Sequence, residues 1–137
     1  MRGLAFVLAL GLLGFPGLAR PGAAGNAKKP RLALRASPPM AFPPVSVLLM
    51  AELVGGEEQE DYYCPGLEWD WGDGSRSAHE SDCEPFAPGA TLERRFSARH
   101  AYRAPGAYNV RLTLRRASHA VAMATVSVLV HDKSSEN

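Results

Sequence analysis

The sequence predicts an all-β protein, an antiparallel sandwich of about seven short strands. Prolines recur at short intervals from residue 38 onward, and the apolar residues between them tend to alternate with polar ones. In that part of the chain, no apolar spacing favours a helix longer than a turn or two. The chain has 137 residues, with 15 Lys and Arg against 14 Asp and Glu, which is the size of about one domain with little net charge. Nothing in this balance indicates a nucleic-acid partner.

The N-terminal residues have the features of a secretory signal peptide. One Arg precedes an apolar run from Leu4 to Phe15, and a stretch rich in small residues follows. Because the run is shorter than the roughly 20 residues that a spanning helix needs, an uncleaved anchor is the weaker alternative. We expect a signal peptide with a helical apolar part over residues 1–27, and a secreted or periplasmic product with no membrane span after cleavage. The candidate cleavage sites follow Ala19, Ala24 and Ala27.

Six segments carry the strand pattern, in which alternate residues are apolar. They are 32–34, 45–53, 67–71, 91–96, 108–114 and 120–130. We expect the sandwich to span residues 31–131. A mobile polar leader at 28–30 and a polar tail at 132–137 would flank it.

Two of these segments have unusual faces. In 45–53, Val47 and Leu49 share one face, whereas Leu48 and Met50 share the opposite one. Soluble monomers seldom leave such an apolar pair bare beside an open sheet edge. In 91–96, Arg94 is a misfit on the face that carries the apolar residues.

The two cysteines, Cys64 and Cys83, are predicted to form a disulfide. Both lie in the exported part of the chain, and an even count in an oxidising compartment favours pairing. In the chain-entropy model, closing a loop of this length contributes about 3 kcal/mol. The alternatives are two free thiols or two ligands of a metal site, although no second Cys pair and no neighbouring His supports a metal.

The stretch "WDWGDGS" alternates two tryptophans with acids and then enters a Gly-Asp-Gly turn. Trp69 and Trp71 point inward in the strand pattern. Gly72 and Gly74 supply the backbone freedom that a turn needs, and Asp73 can accept hydrogen bonds from nearby backbone amides. The stretch is therefore predicted to be a structural corner of the fold rather than a reactive loop.

A second stretch, "HAYRAPGAYNVRLTL", is also predicted to form a structural turn between two strands. Pro105 and Gly106 fit the middle of a type II turn, and Tyr108 sits where a tyrosine corner would begin the next strand. His100, just before this turn, is expected to be held by a backbone or carboxylate hydrogen bond.

Together the two stretches resemble the signature segments of the PKD domain, a family named after polycystic-kidney-disease proteins. Its usual pattern is similar to W-x-F-G-D-G-S followed by H-x-Y-x-x-P-G-x-Y-x-V-x-L-x-V. The matching residues are Trp69, Trp71, Gly72, Asp73, Gly74, Ser75, His100, Tyr102, Pro105, Gly106, Tyr108, Val110, Leu112 and Leu114. Trp71 replaces the usual Phe, and the insertions "GGEEQEDYYCPG" and "SAHESDCEPFAPGA" depart from the family pattern.

The resemblance implies an immunoglobulin-like β-sandwich in a single-domain secreted protein of bacterial type. It also implies function, because PKD-like domains mostly mediate contact with proteins or carbohydrates, or serve as spacers beside enzymatic domains. We therefore expect another extracytoplasmic protein or a polysaccharide as the partner, and neither enzymatic activity nor a cofactor.

The residues themselves carry little catalytic signal. The four histidines lack the spacing of a zinc site, and Ser75, Ser77 and Ser81 lie in no nucleophile motif although His79 is near. Asp70 and Asp73 are weak calcium candidates, because no recognised loop spacing accompanies them. A calcium-binding module and a small hydrolase are the less favoured functions.

Two surfaces compete for the predicted interaction. A binding module would use exposed aromatics near the disulfide, namely Tyr62, Tyr63 and Phe86. A structural or assembly component would instead use Leu48 and Met50 on the outer face of their strand.

Charge is divided unevenly along the chain. Between Glu52 and Glu84 there are eleven acids and one base, whereas from Pro85 onward there are eight bases and three acids. We expect the halves to face each other across strand pairs, with Glu68 and Asp70 beside Arg111 and Arg115. The competing interpretation is an acidic face open for calcium or a basic partner.

Overall fold

The protein is all-β, as the sequence predicts, and its strands form two sheets. The computed structural model describes residues 28–133. A three-stranded antiparallel sheet has the order β1-β3-β6. Its strands are β1 (Arg31–Ser37), β3 (Val45–Val54) and β6 (Arg95–Tyr102).

The second sheet has five strands in the order β2-β8-β7-β4-β5. They are β2 (Met40–Ala41), β4 (Gly66–Asp70), β5 (Arg76–His79), β7 (Gly106–Arg116) and β8 (His119–Val130). All pairs are antiparallel except β2 with β8, which run parallel. One 3₁₀ turn, Glu60–Tyr62, lies between β3 and β4.

The hydrophobic core is built from alternate residues of both sheets. Val47 and Leu49 of β3 and Leu112 of β7 are fully buried and belong to the same cluster. Burying an aliphatic side chain of this size stabilises a fold by about 1.5–3 kcal/mol. The periodicity that predicted the faces of β3 and β7 is therefore confirmed.

One predicted strand is shifted in the structure, and β5 has no counterpart in the prediction. The segment predicted at 91–96 becomes a strand only at Arg95 and continues to Tyr102. Arg94, the misfit, donates hydrogen bonds to the carbonyls of Leu53 and Gly55 and to Glu58, so it anchors the loop that follows β3. Strand β5 has no apolar alternation and all its residues are exposed, which is why the pattern does not predict it.

The insertion between β3 and β4 is held by several hydrogen bonds. The Lys28 carbonyl accepts from the Glu57 amide and from the Gln59 side chain. The carboxylate of Glu58 accepts from the Leu92 amide at 2.6 Å. This bond and the Arg94 guanidinium lower the pKa of Glu58. Residues 28–30, the predicted leader, thus lie against the insertion.

The predicted signal peptide with its helix, and residues 134–137 of the predicted tail, lie outside the described residues. Within the described range, no helix is long and apolar enough to span a membrane.

Candidate functional site

The "WDWGDGS" stretch forms a tight corner after β4. The Trp71 amide donates to the Ser75 carbonyl at 3.1 Å, and the Ser75 amide donates to Asp73 Oδ1 at 2.9 Å. Gly72 has a φ of 77°, and a Cβ there would lie 2.7 Å from the Asn109 carbonyl oxygen. The predicted roles of Asp73 as a backbone acceptor and of Gly72 as a turn residue are confirmed.

Asp73 also joins this corner to β6. His100 Nε2 lies 2.7 Å from Asp73 Oδ2, which confirms the carboxylate hydrogen bond predicted for His100. Burial alone would raise the pKa of Asp73, but hydrogen bonds from His100 and Ser75 outweigh it and lower the pKa to about 2. The carboxylate is therefore charged at any physiological pH.

These three polar residues are not arranged as a nucleophile with its base. The Ser75 hydroxyl donates to Asp73 Oδ1, and His100 contacts the other oxygen of the same carboxylate. A serine nucleophile needs a hydrogen bond to the histidine that removes its proton. Here the Asp73 carboxylate lies between Ser75 and His100, so the three residues stabilise the corner.

A ladder of aromatic rings packs beneath the corner. Trp69 stacks on Trp71 at 5.0 Å between ring centroids, and Trp71 stacks on His100 at 4.5 Å. Tyr102 contacts His100 edge-on, and its hydroxyl donates to the Trp71 carbonyl at 2.7 Å. Burial raises the pKa of Tyr102, as does the charge of Asp73. Trp69 and Trp71 are both buried, so their predicted role as core anchors is confirmed.

Tyr108 forms the predicted tyrosine corner. Its hydroxyl donates to the Ala104 carbonyl, four residues upstream, at 2.6 Å. The type II turn predicted at Pro105 and Gly106 is wrong, because Gly106 already begins β7 and is not among the glycines with positive φ. A Cβ on Gly106 would lie 3.2 Å from the Tyr108 ring, so glycine leaves space for that ring.

Cys64 and Cys83 form the predicted disulfide, which joins the insertion before β4 to the segment after β5. Beside it, the rings of Tyr63 and Phe86 meet edge-on at 5.3 Å, and the Tyr63 hydroxyl donates to the Glu84 carbonyl. Tyr62 is buried, so its predicted role on a contact surface is wrong. Tyr63 and Phe86 are half-buried, and their contacts hold the two loops together.

The two calcium candidates already have partners. Asp70 Oδ1 accepts from the Gly72 amide, and Oδ2 lies 3.4 Å from Arg76. Both oxygens of Asp73 are engaged, as described above. Among residues 28–133, no group of three or more His, Cys, Asp or Glu side chains is arranged to hold a metal ion.

The outer face of the five-stranded sheet carries the predicted charge pairs in altered form. Arg115 Nε lies 2.7 Å from Glu68 Oε2, which confirms that pair. Asp70 pairs with Arg76 of β5 instead of Arg111, although Arg111 is its direct neighbour on β7. The prediction did not include β5, and so it missed the arginine on the other side of Asp70. Acids and bases alternate here, so the acidic-face interpretation loses its main support.

The outer face of the three-stranded sheet, formed by side chains of β1, β3 and β6 that point away from the core, is open. Met50 and Val54 are about 40 % exposed (40 % and 41 %), and Leu48 is half-buried. Arg35 lies directly across from Met50, and Arg99 lies directly across from Leu48. In the described part of the chain, neither arginine makes an ion pair or a side-chain hydrogen bond.

A groove of about 500 Å³ runs over this outer face, and Arg35, Met50, Val54 and Arg95 are among its lining residues. Its one acid, Glu52, lies 3.9 Å from Arg95. The sequence pointed to Leu48 and Met50 but missed the arginines around them. Arg35 alternates with apolar residues in β1. This signal would have been enough to place Arg35 beside Met50 if the pairing of β1 with β3 had been known.

No model of a known protein family matches the chain, and no curated protein matches it significantly.

Proposed function

We propose that the protein is a non-catalytic interaction module of the extracytoplasmic space, with an immunoglobulin-like sandwich of the PKD type, and that it contacts another protein. The hydrogen bonds from His100 to Asp73 and from Tyr108 to Ala104 support the fold assignment. The first bond connects the two stretches that carry the family resemblance, and the second stabilises the turn within the second stretch.

The observation that carries the proposed function is the outer face of the three-stranded sheet. Exposed Met50 and Val54 lie there with Arg35 and Arg99, which have no partner in the described residues. Methionine and arginine are enriched at protein interfaces, and a contact would desolvate the apolar side chains while giving the arginines acceptors. Their combination on one sheet face favours a protein contact.

A carbohydrate partner has less support on this face. Sugars stack on exposed aromatic rings. Phe96 is the aromatic residue that lines the groove, and it is buried. A protein partner is therefore the better fit.

The non-catalytic assignment is supported by the hydrogen bonds that polar side chains make with each other inside the fold. Ser75, Asp73 and His100 brace a corner, as their hydrogen bonds indicate. The extracytoplasmic location is supported by the disulfide between Cys64 and Cys83, because such bonds persist in oxidising compartments.

The proposal is tested with a photo-crosslinking amino acid at Met50 in the native host. As the control, the same group replaces Thr125, an exposed residue of β8 in the other sheet. We expect a product with another protein from position 50 and none from position 125, and we expect Arg35→Glu to abolish it. A product between two copies of the chain would instead support an assembly component. Equal products from both positions, or none from position 50, would contradict the proposal.

A further inference from the structure

Strand β6 is an open edge of the three-stranded sheet. Its eight residues pair with β3 on one side, and no other strand of the described chain pairs with the other side. The segment 80–94, which connects β5 to β6, contains no strand that could cover this edge. An open edge offers a row of backbone donors and acceptors to another chain.

The register identifies which backbone groups are free. The Leu53 amide donates to the Arg94 carbonyl at 2.8 Å, so the backbone groups of Arg94 point toward β3. In an antiparallel ladder the direction alternates with each residue. The residues whose N–H and C=O groups point away from β3 are therefore Arg95, Ser97, Arg99 and Ala101.

Space is available beside this edge. A cavity of about 260 Å³ lies between β6 and the end of β5, and its lining includes His79, Ser81, Arg95 and Ser97. Strand β5 is itself an edge strand, because it pairs only with β4. The two sheets thus leave an open side on which β6 faces no strand.

We propose that the β6 edge binds an extended acidic segment of a partner protein as an added antiparallel strand. This inference rests on the proposed function and specifies the partner. A residue directly opposite Arg95 or Arg99 would exchange both backbone bonds with it and would place its own side chain on the same outer face. Both arginines are exposed there, so carboxylates at those opposite positions complement the edge.

The same charges disfavour a second copy of the chain as the occupant. Antiparallel pairing of two β6 edges about Ser97 would place Arg95 of each copy opposite Arg99 of the other. Like charges directly opposite each other destabilise a strand pair. The arginines therefore disfavour self-pairing in this register and favour an acidic strand, which is a recognised way to combine affinity with specificity.

The experiment uses the chain without residues 1–27 and a blocked peptide of alternating valine and glutamate as the probe, with binding followed by NMR of backbone amides. We expect saturable binding that perturbs the amides of Ser97 and Arg99. A valine–lysine peptide should bind at least about tenfold more weakly, because each opposed charge pair then becomes repulsive.

Two N-methylated versions of the acidic peptide separate backbone pairing from simple charge attraction. Methylation at every glutamate removes the N–H groups that face β6, so binding should weaken at least about tenfold. Methylation at every valine blocks only the opposite edge and should leave binding nearly unchanged. Equal binding of both versions would overturn the proposal.

Two variants of the protein complete the test. Ser97→Pro removes an outward N–H without touching a bond to β3, and should weaken binding at least about tenfold, whereas Ser97→Ala should not. If the proline variant fails to fold, Arg99→Glu replaces it in the test. This substitution leaves the backbone intact and should weaken binding of the acidic peptide. If the acidic peptide does not bind while the Met50 crosslink persists, the edge inference fails and the proposed function stands. Loss of both would overturn both.

Discussion

At the scale of single residues, the corner after β4 shows how two glycines in one turn can have different roles. Gly72 and Gly74 both have positive φ values, of 77° and 88°. Around Gly74, however, no atom lies within 4 Å of the position that a Cβ would take. Gly72 instead lies against the backbone of Asn109, which cannot move without disturbing β7.

We expect Gly72→Ala to lower the free energy of unfolding by about 2–4 kcal/mol, since it combines backbone strain with a clash. The matched control, Gly74→Ala, should cost about 1 kcal/mol because only the strain applies. Urea denaturation followed by tryptophan fluorescence measures both. Equal losses would mean that contact with Asn109 does not determine the choice of glycine.

Asp73 gives the fold a pH dependence at the same scale. Its pKa is about 2 in the folded protein against an ordinary value of 3.8. A lowered folded pKa contributes stability that is fully present above the unfolded pKa and is lost as the pH falls through the folded one. The contribution of Asp73 should therefore disappear as the pH falls from about 4 to about 2.

Between about pH 4 and about pH 2, we expect the Asp73→Asn variant to lose about 2 kcal/mol less of its free energy of unfolding than the wild type does. Asp82→Asn, at an exposed residue of the segment after β5, serves as the control and should leave the slope unchanged. Denaturant unfolding at a series of pH values provides the measurement. An unchanged slope in the Asp73 variant would show that this carboxylate does not carry the effect.

At the scale of secondary-structure elements, the aromatic ladder joins strands of both sheets. Trp69 lies near the end of β4 in the five-stranded sheet, whereas His100 and Tyr102 lie in the last part of β6 in the three-stranded sheet. Trp71 lies between them, stacks on two rings and donates from Nε1 to Ser77 of β5 at 3.1 Å. A single side chain thus connects β4, β5 and β6.

Truncation of that side chain, Trp71→Ala, should cost about 3–5 kcal/mol. Trp71→Phe keeps a ring at this position but loses the hydrogen bond to Ser77, so it should cost less, about 1–2 kcal/mol. Thermal unfolding measures the difference. If the alanine variant kept its stability and lost partner binding instead, Trp71 would belong to a contact surface.

At the scale of the whole molecule, segments 55–66 and 77–90, which carry the two cysteines, are linked to each other. The Cys64–Cys83 disulfide joins them, and Arg116 binds both the carbonyl and the carboxylate of Glu60. These contacts do not involve the corner after β4, so the two regions should respond separately to mutation.

The double variant Cys64→Ser with Cys83→Ser should lose about 3 kcal/mol, because the unfolded chain regains the freedom of that loop. Amide exchange should accelerate in 55–65 and 80–94 while the central strands stay protected. Reductant should destabilise the wild type to a similar level and leave the double variant unchanged. Global exchange in the variant would mean that the disulfide holds the entire fold.

Much of the fold could be predicted because its signals are local. Alternation in β3, β4, β7 and β8 identified buried faces, and the chemistry of Gly72 and Asp73 identified a corner. Prediction was weaker where a residue's role depends on a distant neighbour. Tyr62 looks like an exposed aromatic in an acidic stretch, yet tertiary packing buries it, and burial and the nearby Asp61 charge raise its pKa.

The sequence by itself determined the all-β class and the inward phase of Trp69 and Trp71, and it favoured the pairing of the two cysteines, because alternation, turn residues and an even cysteine count are readable without the tertiary structure. Only the tertiary structure decided that Asp70 meets Arg76, that Arg35 lies beside Met50 and that β6 has a free edge. Each of these depends on which strands become neighbours. That choice is set by packing across the whole core, which no single stretch of sequence encodes.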